Sequence, residues 1–286
     1  MAALSLLVVL GCTAAVVLLG WAYFQRYQLV RPPLGVINRW DVGFMIAASI
    51  LVPYLDQILP LWIVTGLLGM ALLGMLYAGG EPVLSHRWLL WIVVLSLMGA
   101  DVVVARIVGT ANAPFWIVND TVLLLAVVAL TNLWAQSGMK ARDLALLAGA
   151  LAIYDLVATW WLPVTTDLTN RLAGGPFYPL VGWGAGHDRL EIGLGDLLLA
   201  TVFPLVMHKA FGRTAGNVAL ASILCMLAVL FAFVEVAGTP VTLPAMTILG
   251  PLMVLEYYYW LRHTGAERST WQFRHADSHV QAYPPR

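Results

Sequence analysis

The sequence predicts an all-α polytopic membrane protein with nine transmembrane helices. Hydrophobic residues make up 61% of the chain and charged residues only 10%, whereas a soluble domain carries about 25% charged residues. The apolar residues also fall in long runs rather than in the short alternating or amphipathic patterns of a globular core. Because a backbone in lipid must satisfy its own hydrogen bonds, we expect these runs to be helices.

Nine segments match the length of about 20 apolar residues that a membrane-spanning helix needs. We predict one transmembrane domain over residues 1–262, with helices 1–5 in residues 1–134 and helices 6–9 in residues 142–262. The polar stretch 263–286 is predicted to be a disordered cytoplasmic tail. The predicted spans are 2–24, 40–56, 58–78, 88–108, 114–134, 142–162, 189–208, 215–237 and 240–261.

The Lys and Arg residues alternate from one loop to the next, and this bias predicts the orientation. The turns around 56–58, 109–113 and 238–239 hold no Lys or Arg, and loop 163–188 on the same side holds only Arg171. We therefore expect the N-terminus outside and the C-terminus in the cytoplasm, with a prokaryotic cell membrane as the host. The opposite side carries Arg26, Arg31, Arg39, Arg87, Lys140, Arg142, Lys209, Arg213, Arg262, Arg268, Arg274 and Arg286.

The charge and the cysteines limit the possible partners. The formal net charge is zero and no basic stripe is present, so we expect no nucleic-acid partner. Cys12 and Cys225 both lie in apolar runs, which argues against a disulfide framework or a metal site. No metal and no cofactor are expected, the lipid bilayer is the surrounding partner, and self-association into a homo-oligomer is left open.

Two carboxylates in predicted spans are the strongest functional signal, since buried ionisable residues in membranes are costly. Asp155 lies about seven residues before the end of span 6, and Asp196 about seven residues after the start of span 7. At about 1.5 Å per residue, both would lie roughly 10 Å below the outer face. Two such acids share one proton: the ionised one can activate water while the protonated one polarises a carbonyl group. Gly193 and Gly195 would leave room beside Asp196 for a helix or an extended substrate.

The residues around these acids resemble the presenilin and signal peptide peptidase family of intramembrane proteases. Tyr154-Asp155 is similar to the YD motif of that family, and Gly193-Leu194-Gly195-Asp196 to its GxGD motif. Pro244-Ala245-Met246 is similar to its PAL motif, with Met in place of Leu. The resemblance is strong over about residues 112–262 and weak over the N-terminal third.

The resemblance implies a presenilin-like fold and hydrolysis of peptide bonds within transmembrane segments, with Asp155 and Asp196 as the acid–base pair. It also implies that Pro244 and its neighbours help to hold the substrate as an unwound strand. The N-out orientation resembles the signal peptide peptidase branch, which would favour transmembrane substrates whose N-terminus is cytoplasmic.

Other readings remain open at this stage. A prepilin-type aspartyl peptidase also uses GxGD but usually carries Lys soon after the motif, where this chain has Leu197-Leu198-Leu199. A channel or transporter could use the same carboxylates as an ion path. Asp120 could line the catalytic cavity or pair with Arg106, while Asp101 has no assigned role. The glycine-rich loop 163–188 is equally consistent with a gate, a substrate-pairing segment or a plain surface loop.

Overall fold

The structure, a computed structural model, describes residues 2–29, 36–109, 112–160, 164–184, 190–237 and 245–273. These ranges are mostly helical, and a hairpin of two short antiparallel strands, β1 (Leu180–Trp183) and β2 (Leu190–Gly193), separates two of the helices. The predicted helical architecture is confirmed, and the hairpin is an addition to it. The helices are α1 (Ala2–Arg26), α2 (Arg39–Ile58), α3 (Leu61–Gly80), α4 (Arg87–Ile107), α5 (Ala113–Gln136), α6 (Ala141–Trp160), α7 (Val164–Leu172), α8 (Leu194–Phe211), α9 (Arg213–Ala237) and α10 (Ala245–Thr264).

Six helices in the described ranges are long and apolar enough to cross a membrane: α1, α3, α4, α5, α8 and α9. The other three long helices, α2, α6 and α10, carry ionisable residues along their length. The chain is therefore a multi-pass membrane protein, and its described ranges contain six helices of this kind, so the prediction of nine spans is not confirmed. One boundary needs correction: the span predicted at 189–208 is a helix only from Leu194, because residues 190–193 form β2.

Helix α8 lies at the centre of the bundle. In the most apolar stretch of α8, 72% of the residues are buried within the protein. The corresponding share is 17% in α3 and 28% in α4. Near its end, the buried ammonium group of Lys209 donates hydrogen bonds to the backbone oxygens of Ala135 and Met139. Because the last carbonyls of a helix have no partner within it, Lys209 caps the end of α5 from inside the bundle.

Small residues bring α6 and α10 into close contact. A Cβ atom at Gly250 would lie 2.6 Å from the carbonyl oxygen of Ala148 and 2.7 Å from the Cβ atom of Ala152. Interfaces of this type let helix backbones approach each other in membranes, where dispersion and close packing drive association. Gly250 therefore sets the distance between the helix that carries Asp155 and the helix that begins at Ala245.

The residues after α10 pack against the end of the bundle where α8 ends and α6 begins. Arg268 donates a hydrogen bond of 3.0 Å to the backbone oxygen of His208, and the ring of Phe273 stacks on Phe24 at 5.9 Å. Glu267 accepts a hydrogen bond from the backbone N–H of Arg142. The tail that was predicted to be disordered is thus packed as far as residue 273, and residues 274–286 lie outside the described ranges.

We expect Gly250→Ala to destabilise the protein by about 1–3 kcal/mol, because the added methyl group overpacks the α6–α10 interface. Gly99→Ala in α4 is the matched control, since nothing lies within 4 Å of a Cβ atom there. That substitution should be neutral or stabilising by about 0.5–1 kcal/mol. Thermal unfolding in detergent measures both changes, and equal melting temperatures for the two variants would contradict the close contact at Gly250.

Candidate active site

Asp155 lies near the end of α6, where its carboxyl group meets the start of α10. The backbone N–H of Met246 donates a hydrogen bond of 3.0 Å to Oδ2 of Asp155, and the backbone N–H of Thr247 interacts with the same carboxyl group. The first four N–H groups of a helix have no partner within it and carry a partial positive charge. Asp155 therefore acts as a cap for α10 and holds a negative charge at its positive end.

Asp196 is the third residue of α8, so it lies on the first turn of that helix. Sequence analysis placed it about seven residues inside a span, and that placement is wrong because the preceding residues are extended. Its carboxyl group lies against Gly193: a Cβ atom there would come within 3.0 Å of Oδ2. Glycine at position 193 therefore gives the carboxyl group the space it occupies.

The carboxyl groups of Asp155 and Asp196 are close enough to interact electrostatically. Both residues are half-buried. Asp155 belongs to α6 and contacts the N-terminus of α10, whereas Asp196 lies in the first turn of α8. Two positive helix ends thus converge on one pair of acids. The positive end of a helix favours a negative charge on a nearby carboxyl group.

The other described residues predicted for the site lie on α6, at the start of α8 and at the start of α10. Tyr154 is half-buried on α6 beside Asp155, and Leu194 opens α8 while its N–H donates a hydrogen bond of 3.1 Å to the oxygen of Pro179. Ala245 and Met246 are buried at the start of α10. Pro244 lies outside the described residues. Gly195 is exposed with nothing within 4 Å of a Cβ atom, so the surface beside Asp196 is open.

The β-hairpin leads directly into the site. Leu180 pairs with Gly193 and Trp183 with Leu190, so the last residue of β2 is also the residue before α8. The position of Asp196 therefore depends on where the hairpin lies. The loop predicted at 163–188 is structured in its described part, which includes α7 and β1.

Polar side chains of α5 hold the hairpin inside the bundle. Asn119 is fully buried, and its Nδ2 donates hydrogen bonds of 3.1 and 3.2 Å to the backbone oxygens of Tyr178 and Leu180. Oδ1 of Asp120 accepts a hydrogen bond of 3.3 Å from the backbone N–H of Gly182. Extended backbone at membrane depth needs such partners, because lipid offers none. The interpretation of Asp120 as a partner of Arg106 is wrong, since the carboxyl group binds the hairpin.

Asp101 of α4 anchors the turn that precedes β1. Its Oδ2 accepts a hydrogen bond of 2.7 Å from the backbone N–H of Phe177. Phe177 has a φ angle of 59°, a left-handed conformation that is unfavourable for residues other than glycine. The hydrogen bond that Phe177 donates to Asp101 and the contact of the Phe177 ring with Gly69 support this conformation.

Sequence analysis missed the role of Asn119. Its signal was nonetheless present, because Asn119 is a polar residue next to Asp120 within an apolar run.

In the described part of the chain, no group of three or more His, Cys, Asp and Glu side chains could hold a metal ion. No protein-family model matches the sequence, and no curated protein matches it either.

We expect Asn119→Leu to loosen the hairpin, because two buried backbone oxygens would lose their donor at a cost of about 1–3 kcal/mol. Amide hydrogen exchange in residues 178–183 and 190–193 should become faster by roughly tenfold or more. Thr121→Val is the control, since its hydroxyl group is exposed and donates only to Ile117 of the same helix. Unchanged exchange in Asn119→Leu would contradict the anchoring role.

Proposed function

We propose that the chain is an intramembrane aspartyl protease that hydrolyses peptide bonds within transmembrane segments. The observation that carries this proposal is the pair of carboxyl groups, Asp155 and Asp196, brought together at two helix N-termini. The motifs around both acids resemble those of the presenilin and signal peptide peptidase family. The substrates would be transmembrane helices or signal peptides.

The reaction needs only the two acids and a water molecule. The ionised carboxyl group takes a proton from water while the water oxygen bonds to the carbonyl carbon of the substrate. The protonated carboxyl group gives its proton to the carbonyl oxygen, which produces a neutral gem-diol. The acid that accepted the proton then passes it to the amide nitrogen as the C–N bond breaks. The other acid, now ionised, takes a proton from one gem-diol hydroxyl group, so a carboxylic acid and an amine leave and the pair returns to its starting state. The helix ends at Asp155 and Asp196 favour the one net negative charge that the pair keeps throughout.

The start of α10 has a role in this proposal beyond capping Asp155. The resemblance implies that Pro244, Ala245 and Met246 help to hold the substrate in an unwound form. A proline at this point cannot donate a backbone hydrogen bond, so neighbouring carbonyl groups stay available to an extended peptide. The exposed surface at Gly195 would receive that peptide beside Asp196.

The membrane topology that goes with this function has nine spans, including α2, α6 and α10. Helix α6 carries Asp155, which accounts for part of its polar character. The basic loops favour an N-terminus outside and a C-terminus in the cytoplasm of a prokaryotic cell. Substrates would then enter with their own N-terminus on the cytoplasmic side.

Two observations bear on the alternatives. An ion path through Asp155 and Asp196 would not continue along the buried acids of α4 and α5, because Asp101 and Asp120 bind backbone N–H groups of the 177–182 segment. A prepilin-type peptidase is disfavoured by Leu197, Leu198 and Leu199, which follow the motif and are buried.

We expect Asp155→Asn and Asp196→Asn each to reduce cleavage of a labelled single-span substrate by at least about a hundredfold, because each removes a proton-transfer group. The assay uses the full chain and the substrate in one reconstituted membrane, and products are sized by mass spectrometry. Asp167→Asn is the matched control, since Asp167 is exposed on α7. Full cleavage by either site variant would refute the paired-acid mechanism, and ion flux without cleavage would favour a channel.

Substitutions at two glycines distinguish the residue that leaves space for the carboxyl group of Asp196 from the residue that would contact the substrate. Gly193→Ala places a methyl group against the carboxyl group of Asp196, so kcat should fall by roughly tenfold or more through displacement of that group. Gly195→Val adds bulk on the open surface and should raise KM while kcat changes little. Steady-state cleavage kinetics measure both effects. A higher KM for Gly193→Ala together with a lower kcat for Gly195→Val would contradict the positions proposed for the acid and the substrate.

A further inference from the structure

A groove of about 690 Å³ lies between α2, α6 and α10. We propose that it binds one phospholipid of the adjacent leaflet, and that this lipid carries a net negative headgroup. Arg39 and Arg142 lie at one end of the groove, and Leu146 and Ile153 line its apolar part.

The length of the groove matches one leaflet rather than a whole membrane. From Arg142 to Ile153 the groove follows α6 for eleven residues, which corresponds to about 16 Å. The hydrocarbon core of a bilayer is about 30 Å thick, so one leaflet contributes roughly 15 Å. A spanning helix would need about twice the length that the groove offers. An acyl chain of a single leaflet fits it.

The basic end of the groove has the charge and the surroundings of a headgroup site. Within the described ranges, no hydrogen bond or ion pair engages the guanidinium group of Arg39, whereas that of Arg142 pairs with Asp143 at 3.1 Å. The lining side chains carry two positive charges and one negative charge, and the carboxylate of Glu267 lies beside them on the backbone N–H of Arg142. Arg39 is therefore the cation at this end that is left for a headgroup. Trp40 is 87% exposed and Tyr258 56% exposed at the same end, as expected for aromatic side chains at the level of the headgroups. A phosphate group with a further negative charge complements this end.

The apolar part of the groove has room for a chain. Gly149 and Ala150 leave space between larger side chains, and Val42 is fully buried in the wall. Leu146 and Ile153 are 62% and 69% exposed. A groove with small residues in its wall and exposed apolar residues along it binds an acyl chain by dispersion contacts.

The position of the groove gives the lipid a consequence that rests on the proposed protease function. Ile153, at the inner end, lies two residues before Asp155 on α6. A chain that fills the groove would cover this side of α6 and would compete with a substrate helix that approaches Asp155 from the bilayer.

Lipid retention tests the site without any cleavage step, so its failure would leave the protease proposal standing. The full chain is reconstituted in phosphatidylcholine membranes with and without phosphatidylglycerol, extracted in mild detergent, and its bound lipids are counted by native mass spectrometry. We expect the wild type to retain phosphatidylglycerol in preference to phosphatidylcholine. The double variant Arg39→Ala/Arg142→Ala should lose at least about tenfold in retention, because two charged hydrogen-bond donors to the headgroup are removed.

Two further variants identify the ligand. Arg262→Ala is the matched control, because Arg262 is exposed on α10 and does not line the groove, so it should retain the lipid as the wild type does. Ala150→Trp fills the groove without a change of charge and should also lose retention. Equal retention by the wild type and the double arginine variant would overturn the proposal. Displacement by inorganic phosphate, together with full retention in Ala150→Trp, would overturn the lipid in favour of a free-phosphate site.

Discussion

Where Asp155 approaches α10, a carboxyl group on one helix satisfies the first N–H groups of another. Helix N-termini attract negative charge, and a carboxyl group in an apolar bundle needs donors, so each partner supplies what the other lacks. The contact also requires α6 and α10 to lie close together, which the small residues at Gly250, Ala148 and Ala152 permit. The geometry of the acid pair thus depends on the packing of two helices about a turn and a half away.

The need to satisfy polar groups also explains the non-helical part of the fold. Asp101, Asn119 and Asp120 lie on helices that face lipid elsewhere, yet each uses its side chain to bind backbone of the 177–182 segment. The hairpin that these residues hold ends at Gly193, one residue before α8 begins. The intramembrane polar residues that appeared scattered in the sequence therefore serve one task, which is to place Asp196.

Much of the candidate site could be predicted from the sequence because its signals are local. Acids in apolar runs stand out, and Asp155 and Asp196 flank a single loop. Counting residues from the ends of the predicted spans still misplaced the start of α8 by five residues, since Leu190–Gly193 is apolar enough to resemble helix. The acids meet nonetheless, because the hairpin enters the bundle and carries the start of α8 with it. The tasks of Asn119 and Asp101 depend on backbone some 60 to 75 residues later in the chain, and no local pattern encodes such a contact.

The order of synthesis matters for a hairpin of this kind. Its side-chain anchors, Asp101, Asn119 and Asp120, all precede it in the chain, so they are synthesised before the backbone of residues 177–182 that they bind. Helices α1 to α5 are therefore synthesised before the hairpin and before α8, which carries Asp196.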